Sequence, residues 1–225
     1  MKLPGFYTDD LFKKANNASG LFDFAKPMYY NQDITLSKLE ELTEMIENKN
    51  VLIVCGGGTS NRITTEILKK YDLVFSMNHF FLHSVLNNYP VDLCMMGTEV
   101  NIDNLNKKYL SKFKPMVGFE YQKRWVDDVD GMNRFYDNDK KFFMQTNVYT
   151  VLGSGVRIII MSASLRAKSI SFIGMDGAKS ILKKNHAFQP GKSTMPDILK
   201  QDYDAVFKSQ YDYYWKYSLR LEQSR

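Results

Sequence analysis

Short apolar runs recur along the chain at 51–55, 72–77, 91–96, 115–119, 141–145 and 169–174. Most are bounded by Gly, Pro, Asn or Asp, and this pattern predicts buried strands. Between them, apolar positions fall at helical spacing and predict helices near 61–70, 102–112 and 154–167. Ahead of the first run, Leu36, Leu39, Leu42, Met45 and Ile46 form one apolar stripe, and Ser37 with Glu40 spells a capping box. Strands alternating with helices predict an α/β fold: one Rossmann-like, doubly wound, mostly parallel sheet with flanking helices. Ligands of such sheets bind beyond the carboxyl ends of the strands. That rule selects the loops at 56–61, 78–84, 97–103, 146–155 and 175–186.

The chain divides into three expected parts. Residues 1–50 are an aromatic, irregular arm followed by an amphipathic helix packed on the core. Residues 51–195 form the nucleotide-binding domain, with 120–140 as a polar loop or lid. Residues 196–225 read as a C-terminal helix, with Tyr203, Val206, Phe207, Tyr211, Tyr214, Ser218 and Leu221 along one stripe. Such a stripe docks on a sheet or pairs with a second copy. Its Tyr, Trp and Lys content also suits peripheral contact with a membrane surface, although Asp202, Asp204 and Asp212 oppose that.

Composition narrows the classes. With 225 residues and 44% hydrophobic content, the chain can bury a sizeable core. No run reaches the roughly 18 apolar residues that span a bilayer, and the first residues lack an apolar signal segment. A cytoplasmic setting, at most at the inner face of the membrane, is expected. Cys55 and Cys94 both fall in predicted strands and read as small apolar fillers, without a disulfide framework or a metal site. The net charge of +5 suits anionic ligands, but the basic residues are scattered, so nucleic acid is not expected as a partner.

Candidate chemistry concentrates at the predicted strand ends. Val51–Cys55 runs straight into Gly56, Gly57, Gly58, Thr59 and Ser60, a strand-to-helix turn rich enough in glycine for a phosphate to approach the backbone. It lacks the Lys of a Walker-A loop, and Asn61 stands where the dinucleotide fingerprint has its third Gly. The next strands end in Asn78 and in Gly97-Thr98-Glu99. Gly153-Ser154-Gly155 precedes a predicted helix and is a second candidate anion cradle. Asp176 closes the last strand, where it would meet a ribose, a metal or an acceptor hydroxyl. His79 and His83 lie four apart without carboxylates at metal spacing, so a zinc role is not expected. His186 sits in a polar loop and is suited to acid–base work near neutral pH.

Taken in order, these motifs resemble a known layout. Gly56-x-Gly58-x-Ser60, Asn78 closing the next strand, Ser154-Gly155 opening a helix, and Ile170-Ser171-Phe172-Ile173-Gly174-Met175-Asp176 followed by His186 are similar to the bacterial sialyltransferases of glycosyltransferase family 42. The wider 6-hydroxymethylpterin diphosphokinase (MptE-like) group shares the layout, and the resemblance spans about 51–188. It implies a glycosyltransferase that uses a nucleotide-activated sugar, a CMP-sugar such as CMP-sialic acid being favoured, and a glycan or glycolipid acceptor. Gly56, Gly57, Gly58, Thr59, Ser60, Asn78, Thr98, Ser154 and Gly155 would hold the nucleotide. His186 would be the general base, with Asp176 beside it, and no metal or other cofactor would take part. Gly57 and Thr59 replace the family's Asn and Pro, and no Tyr lies in 177–185 to match its phosphate-binding tyrosines, leaving Lys183 or Lys184 as cationic substitutes. Two other readings stand beside it. One is a Mg-dependent diphosphokinase in which Asp176 and Glu99 hold the metal; the other is a non-catalytic nucleotide-binding relative. A homo-oligomer is compatible with all three.

Overall fold

A computed structural model describes residues 6–7, 34–36, 38–96, 104–120, 139–146, 154–176 and 186–189 of the protein. The described strands are β1 (Phe6–Tyr7), β2 (Ile34–Leu36), β3 (Asn50–Val54), β4 (Leu73–Met77), β5 (Leu93–Met96), β6 (Met116–Glu120), β7 (Lys141–Thr146) and β8 (Ser169–Ile173). They form one sheet in the order β1-β2-β7-β6-β5-β4-β3-β8. The six strands from β7 to β8 in that order are all parallel. Strand β2 then runs antiparallel along β7, and β1 extends it as an edge.

Four α-helices flank the sheet among the described residues: α1 (Leu39–Ile46), α2 (Thr65–Leu68), α3 (Asn104–Phe113) and α4 (Ser154–Ser164). Side chains alternate across a strand, so each central strand feeds two cores. Val51 and Ile53 of β3 pack with Leu42 and Ile46 of α1 and with Ile158 and Met161 of α4. Leu52 and Val54 face the other way, toward Leu68 of α2, Phe80, Leu86, and Tyr109 and Leu110 of α3. Helices on both faces make the sheet doubly wound, a Rossmann-like α/β architecture. Both cysteines are buried and free. No helix of the described residues is long and apolar enough to cross a membrane.

Local chemistry moves several expected boundaries. The N-cap of α1 is Lys38, in a left-handed conformation (φ 53°) with no side-chain cap bond, while Ser37 of the expected capping box lies outside the described residues. Strand β2 runs up to Leu36, and the left-handed residue turns the chain from that strand into the helix. Lys38 instead pairs with Glu41 at 3.1 Å. The helix expected over 61–70 divides into a 3-10 turn at Gly58–Arg62, an extended Ile63, and α2, which Thr64 caps by accepting from the Ile67 amide. His79 and His83 share no α-helix; they flank a 3-10 turn at Phe80–Leu82. Of the lid expected over 120–140, Glu120 ends β6 and residues 121–138 lie outside the described residues, as does the C-terminal helix at 196–225.

Candidate functional site

Strands β4 to β7 are laid down on one side of β3, and β8 returns on the other. The order therefore reverses between β3 and β8, and their carboxyl ends open the crevice where a doubly wound sheet binds ligands. The ladder continues past the strands: Cys55 N–H donates to Ile173 O and Gly57 N–H to Gly174 O, both at 2.8 Å. A side-chain lock then joins the two loops. The Asp176 carboxylate accepts from the Thr59 amide at 2.8 Å and from the Thr59 hydroxyl through its other oxygen. The same hydroxyl oxygen accepts from Gly174 N–H at 3.0 Å. Ser60, fully buried, donates its hydroxyl to Cys55 O at 2.7 Å. Two glycines permit this approach. A Cβ on Gly57 would lie 2.5 Å from Gly174 O, and Gly174 itself adopts φ +81°.

His186 reaches the same place from far along the chain. Ala187 N–H donates to Gly56 O at 2.8 Å and anchors the segment on the glycine loop. The ring covers Gly56: a Cβ there would lie 2.5 Å from His186 Cε1 and 2.6 Å from Nε2. His186 Nδ1 accepts from the amides of Phe188 and Gln189 at 3.1 and 3.2 Å. A neutral imidazole carries one proton, and these bonds place it on Nε2. Phe188 is buried edge-on to both His186 and His83, with ring centroids 5.6 and 6.1 Å apart. His83 repeats the capping pattern, its Nδ1 accepting from Val85 and Leu86 amides at 3.3 and 3.4 Å. Burial holds the His83 imidazole below its usual pKa, a hydrogen bond to the Ser60 backbone opposing the shift.

The glycine loop spends most of its backbone donors on the protein itself. Gly57 N–H goes to Gly174, Thr59 N–H to Asp176, and Ser60 N–H to Gly57 O at 3.0 Å. Among the described residues, the amides of Gly56 and Gly58 are the loop's remaining backbone donors. A carboxylate thus occupies the Thr59 amide that the sequence assigns to a phosphate. Asn78 ends β4 in a left-handed conformation (φ 49°), half-buried, with its amide on Met95 O at 2.8 Å. Ser154 is half-buried at the start of α4. Gly155 beside it is buried by packing, a Cβ there lying 2.8 Å from Cys55 Sγ and 3.6 Å from Met77 and Met175. Burial first, and the Asp176 charge second, push the Cys55 thiol up to about 12, which keeps it protonated at neutral pH. Thr98, Glu99, Lys183 and Lys184 lie outside the described residues.

The structure therefore gathers Gly56, Gly57, Gly58, Thr59, Ser60, Asp176 and His186 at one switch point, with Gly155 bringing the start of α4 against the same strand ends. His83, weighed in the sequence only as a metal ligand, and Phe188, given no role there, pack against the loop and its His186 anchor. Their apolar surroundings (Phe80, Phe81 and Leu86 around His83) were the available signal of burial.

No family model matches the chain, and comparison with curated protein sequences gives no match. Among solved structures, the chain is similar to a crystal structure of the sialyltransferase CST-II in complex with trisaccharide acceptor and CMP. The two share a TM-score of 0.47 and 13% identity, over 76% of this chain and 78% of that one.

Proposed function

We propose that this protein is a glycosyltransferase that moves a sugar from a nucleotide-activated donor, a CMP-sugar such as CMP-sialic acid being favoured, to a hydroxyl of a glycan acceptor without a metal ion. The observation that carries this reading is the seating of the His186 imidazole on Gly56 at the β3/β8 switch point. An ionisable ring and a glycine loop with two remaining amides meet where the fold binds nucleotides. Breaking the bond between an anomeric carbon and a phosphate oxygen builds negative charge on the phosphate, and preorganised donors stabilise that charge. Two amides make a donor set sized for one phosphate, which favours a monophosphate-linked sugar over a diphosphate-linked one. In this reading Asn78 and Ser154, at neighbouring strand and helix ends, contact the base or ribose.

In this reading Asp176 is a positioning residue. Both of its oxygens accept from Thr59, so it shapes the loop that meets the donor. The same engagement weakens the diphosphokinase alternative, which needs the Asp176 carboxylate for Mg²⁺.

A thermal-shift panel of CMP, CDP, UDP, GDP, ATP and ADP, each with and without Mg²⁺, tests the proposal. Ligands selective for the native state raise the midpoint by mass action, by about 2.7 kcal/mol of stability at 100 times Kd. Stabilisation by CMP without Mg²⁺ is expected. Stabilisation by ATP only with Mg²⁺ would replace the proposal with the diphosphokinase, and a flat panel would overturn both.

A further inference from the structure

We propose that the outer edge of β8 seats a second copy of this chain, the two strands pairing antiparallel about a two-fold axis at Ser171. Among the described residues, β8 pairs with β3 alone and ends the sheet. Ser169 N–H donates to Lys49 O, and Cys55 N–H donates to Ile173 O. Residues 169, 171 and 173 therefore turn their backbone groups toward β3, and alternation turns those of Ile170 and Phe172 outward. Sheet edges are ordinarily blunted by charge, proline or a bulge. Ser169-Ile170-Ser171-Phe172-Ile173 carries no charge and no proline, and its register with β3 runs without a bulge. Phe172 is 55% exposed, the most exposed large apolar side chain of the described residues.

The strand is complementary to its own reverse. With Ser171 on the axis, Ile170 of each copy stands opposite Phe172 of the other. These are the two residues whose backbone groups face outward, so each such pair can exchange both of its N–H···O bonds. Their side chains share one face of the sheet and set an aromatic ring against a β-branched residue in each pair. Ser171 meets Ser171 of the other copy as a pair without hydrogen bonds. Charge favours the same sense: Lys168 precedes β8 and Asp176 follows it. Antiparallel pairing brings the lysine end of each strand beside the carboxylate end of the other, whereas parallel pairing would set lysine beside lysine. A two-fold on one edge closes with two chains, while β8 laid on the β1 edge of another copy would continue without closing.

Sedimentation velocity of the full chain over a concentration series reads the mass, and Ser171→Cys reads the axis. The Cα atoms of an antiparallel pair without hydrogen bonds stand about 4.5 Å apart, within the reach of a disulfide. Ser169→Cys is the control, because its two copies would lie about 13 Å apart along the strands at a rise of about 3.3 Å per residue. Cys55 and Cys94 are buried and do not compete. We expect a monomer–dimer equilibrium in the wild type, and a dissociation constant raised about thirtyfold or more in Phe172→Glu. Under mild oxidation Ser171→Cys should give a disulfide-linked dimer and Ser169→Cys none. Amide hydrogen exchange needs no substitution: protection of Ile170 and Phe172 should rise with protein concentration. A wild type that stays monomeric throughout the series overturns the proposal. So does a dimer that Phe172→Glu leaves intact, or cross-linking at 171 no faster than at 169. Full protection of the two amides in the monomer also overturns it, and would assign the edge to residues 190–225 of the same chain.

Discussion

The lock between Thr59 and Asp176 gives the sharpest test of how the two loops are held. Thr59→Val removes the hydroxyl and keeps the β-branched shape. Gly174 is buried, so its amide loses its acceptor and has no ready access to water. An unsatisfied buried donor costs about 1–3 kcal/mol. The Asp176 carboxylate also loses one of its two bonds from Thr59, but it is only half-buried and water recovers part of that bond. The summed cost is about 2–4 kcal/mol, or roughly 4–16 °C in Tm for a chain of this size. Urea unfolding of the wild type, Thr59→Val and Thr59→Ser, with a double-mutant cycle against Asp176→Asn, measures it. Thr59→Ser keeps the hydroxyl and should fall within about 1 kcal/mol of the wild type, while the cycle should return a coupling of about 1 kcal/mol or more. A Thr59→Val loss below about 0.5 kcal/mol, in the range of ordinary surface substitutions, would show that the lock does not hold the loops together.

Two further perturbations read neighbouring parts of the site. A Cβ on Gly57 would meet the Gly174 carbonyl, which is backbone, whereas the nearest atoms to a Cβ on Gly56 belong to the His186 ring. Gly57→Ala should therefore cost about 1–3 kcal/mol in urea unfolding, and Gly56→Ala less. Gly56→Ala should still abolish the CMP-induced shift by displacing the imidazole, and similar stability losses in the two variants would contradict the assignment. The depressed pKa of His83 sets a pH dependence. Below about pH 6.5 the unfolded chain takes up a proton that the buried ring refuses, so this part of the stability is present above that pH and lost as pH falls through the folded value. Urea midpoints between pH 7.5 and 5.5 should fall more steeply for the wild type than for His83→Asn, which keeps the Nδ1-type cap without titrating; parallel slopes would refute the assignment.

The central sheet was legible because each parallel strand, buried on both faces, is written as a continuous apolar run. Val51–Val54, Leu73–Met77 and Leu93–Met96 all form where those runs stand. Strands β1 and β2 escaped notice because two or three residues carry no periodicity, and they form only by adding to an edge that β7 provides. The helix expected over 61–70 failed for a tertiary reason. Asp176, 117 residues from Thr59, holds the first turn after Gly57, and the chain must leave that tight turn before α2 begins.

The glycine run shows why the place of a site is easier to read than its chemistry. Three adjacent glycines in the sequence predict backbone room for a phosphate. At Gly57 the room is filled by Gly174 and Asp176, and at Gly56 by the His186 ring. Close approach is what glycine permits, and a neighbouring strand end uses it as well as a ligand does. Both demands fall at the same point because the switch between β3 and β8 is where two loops converge without a third strand between them. An anion bound there would meet a loop already crowded by its own protein, with a carboxylate on one flank and an imidazole on the other. Its binding would depend less on the number of glycines than on the donors the loop has left, the amides of Gly56 and Gly58.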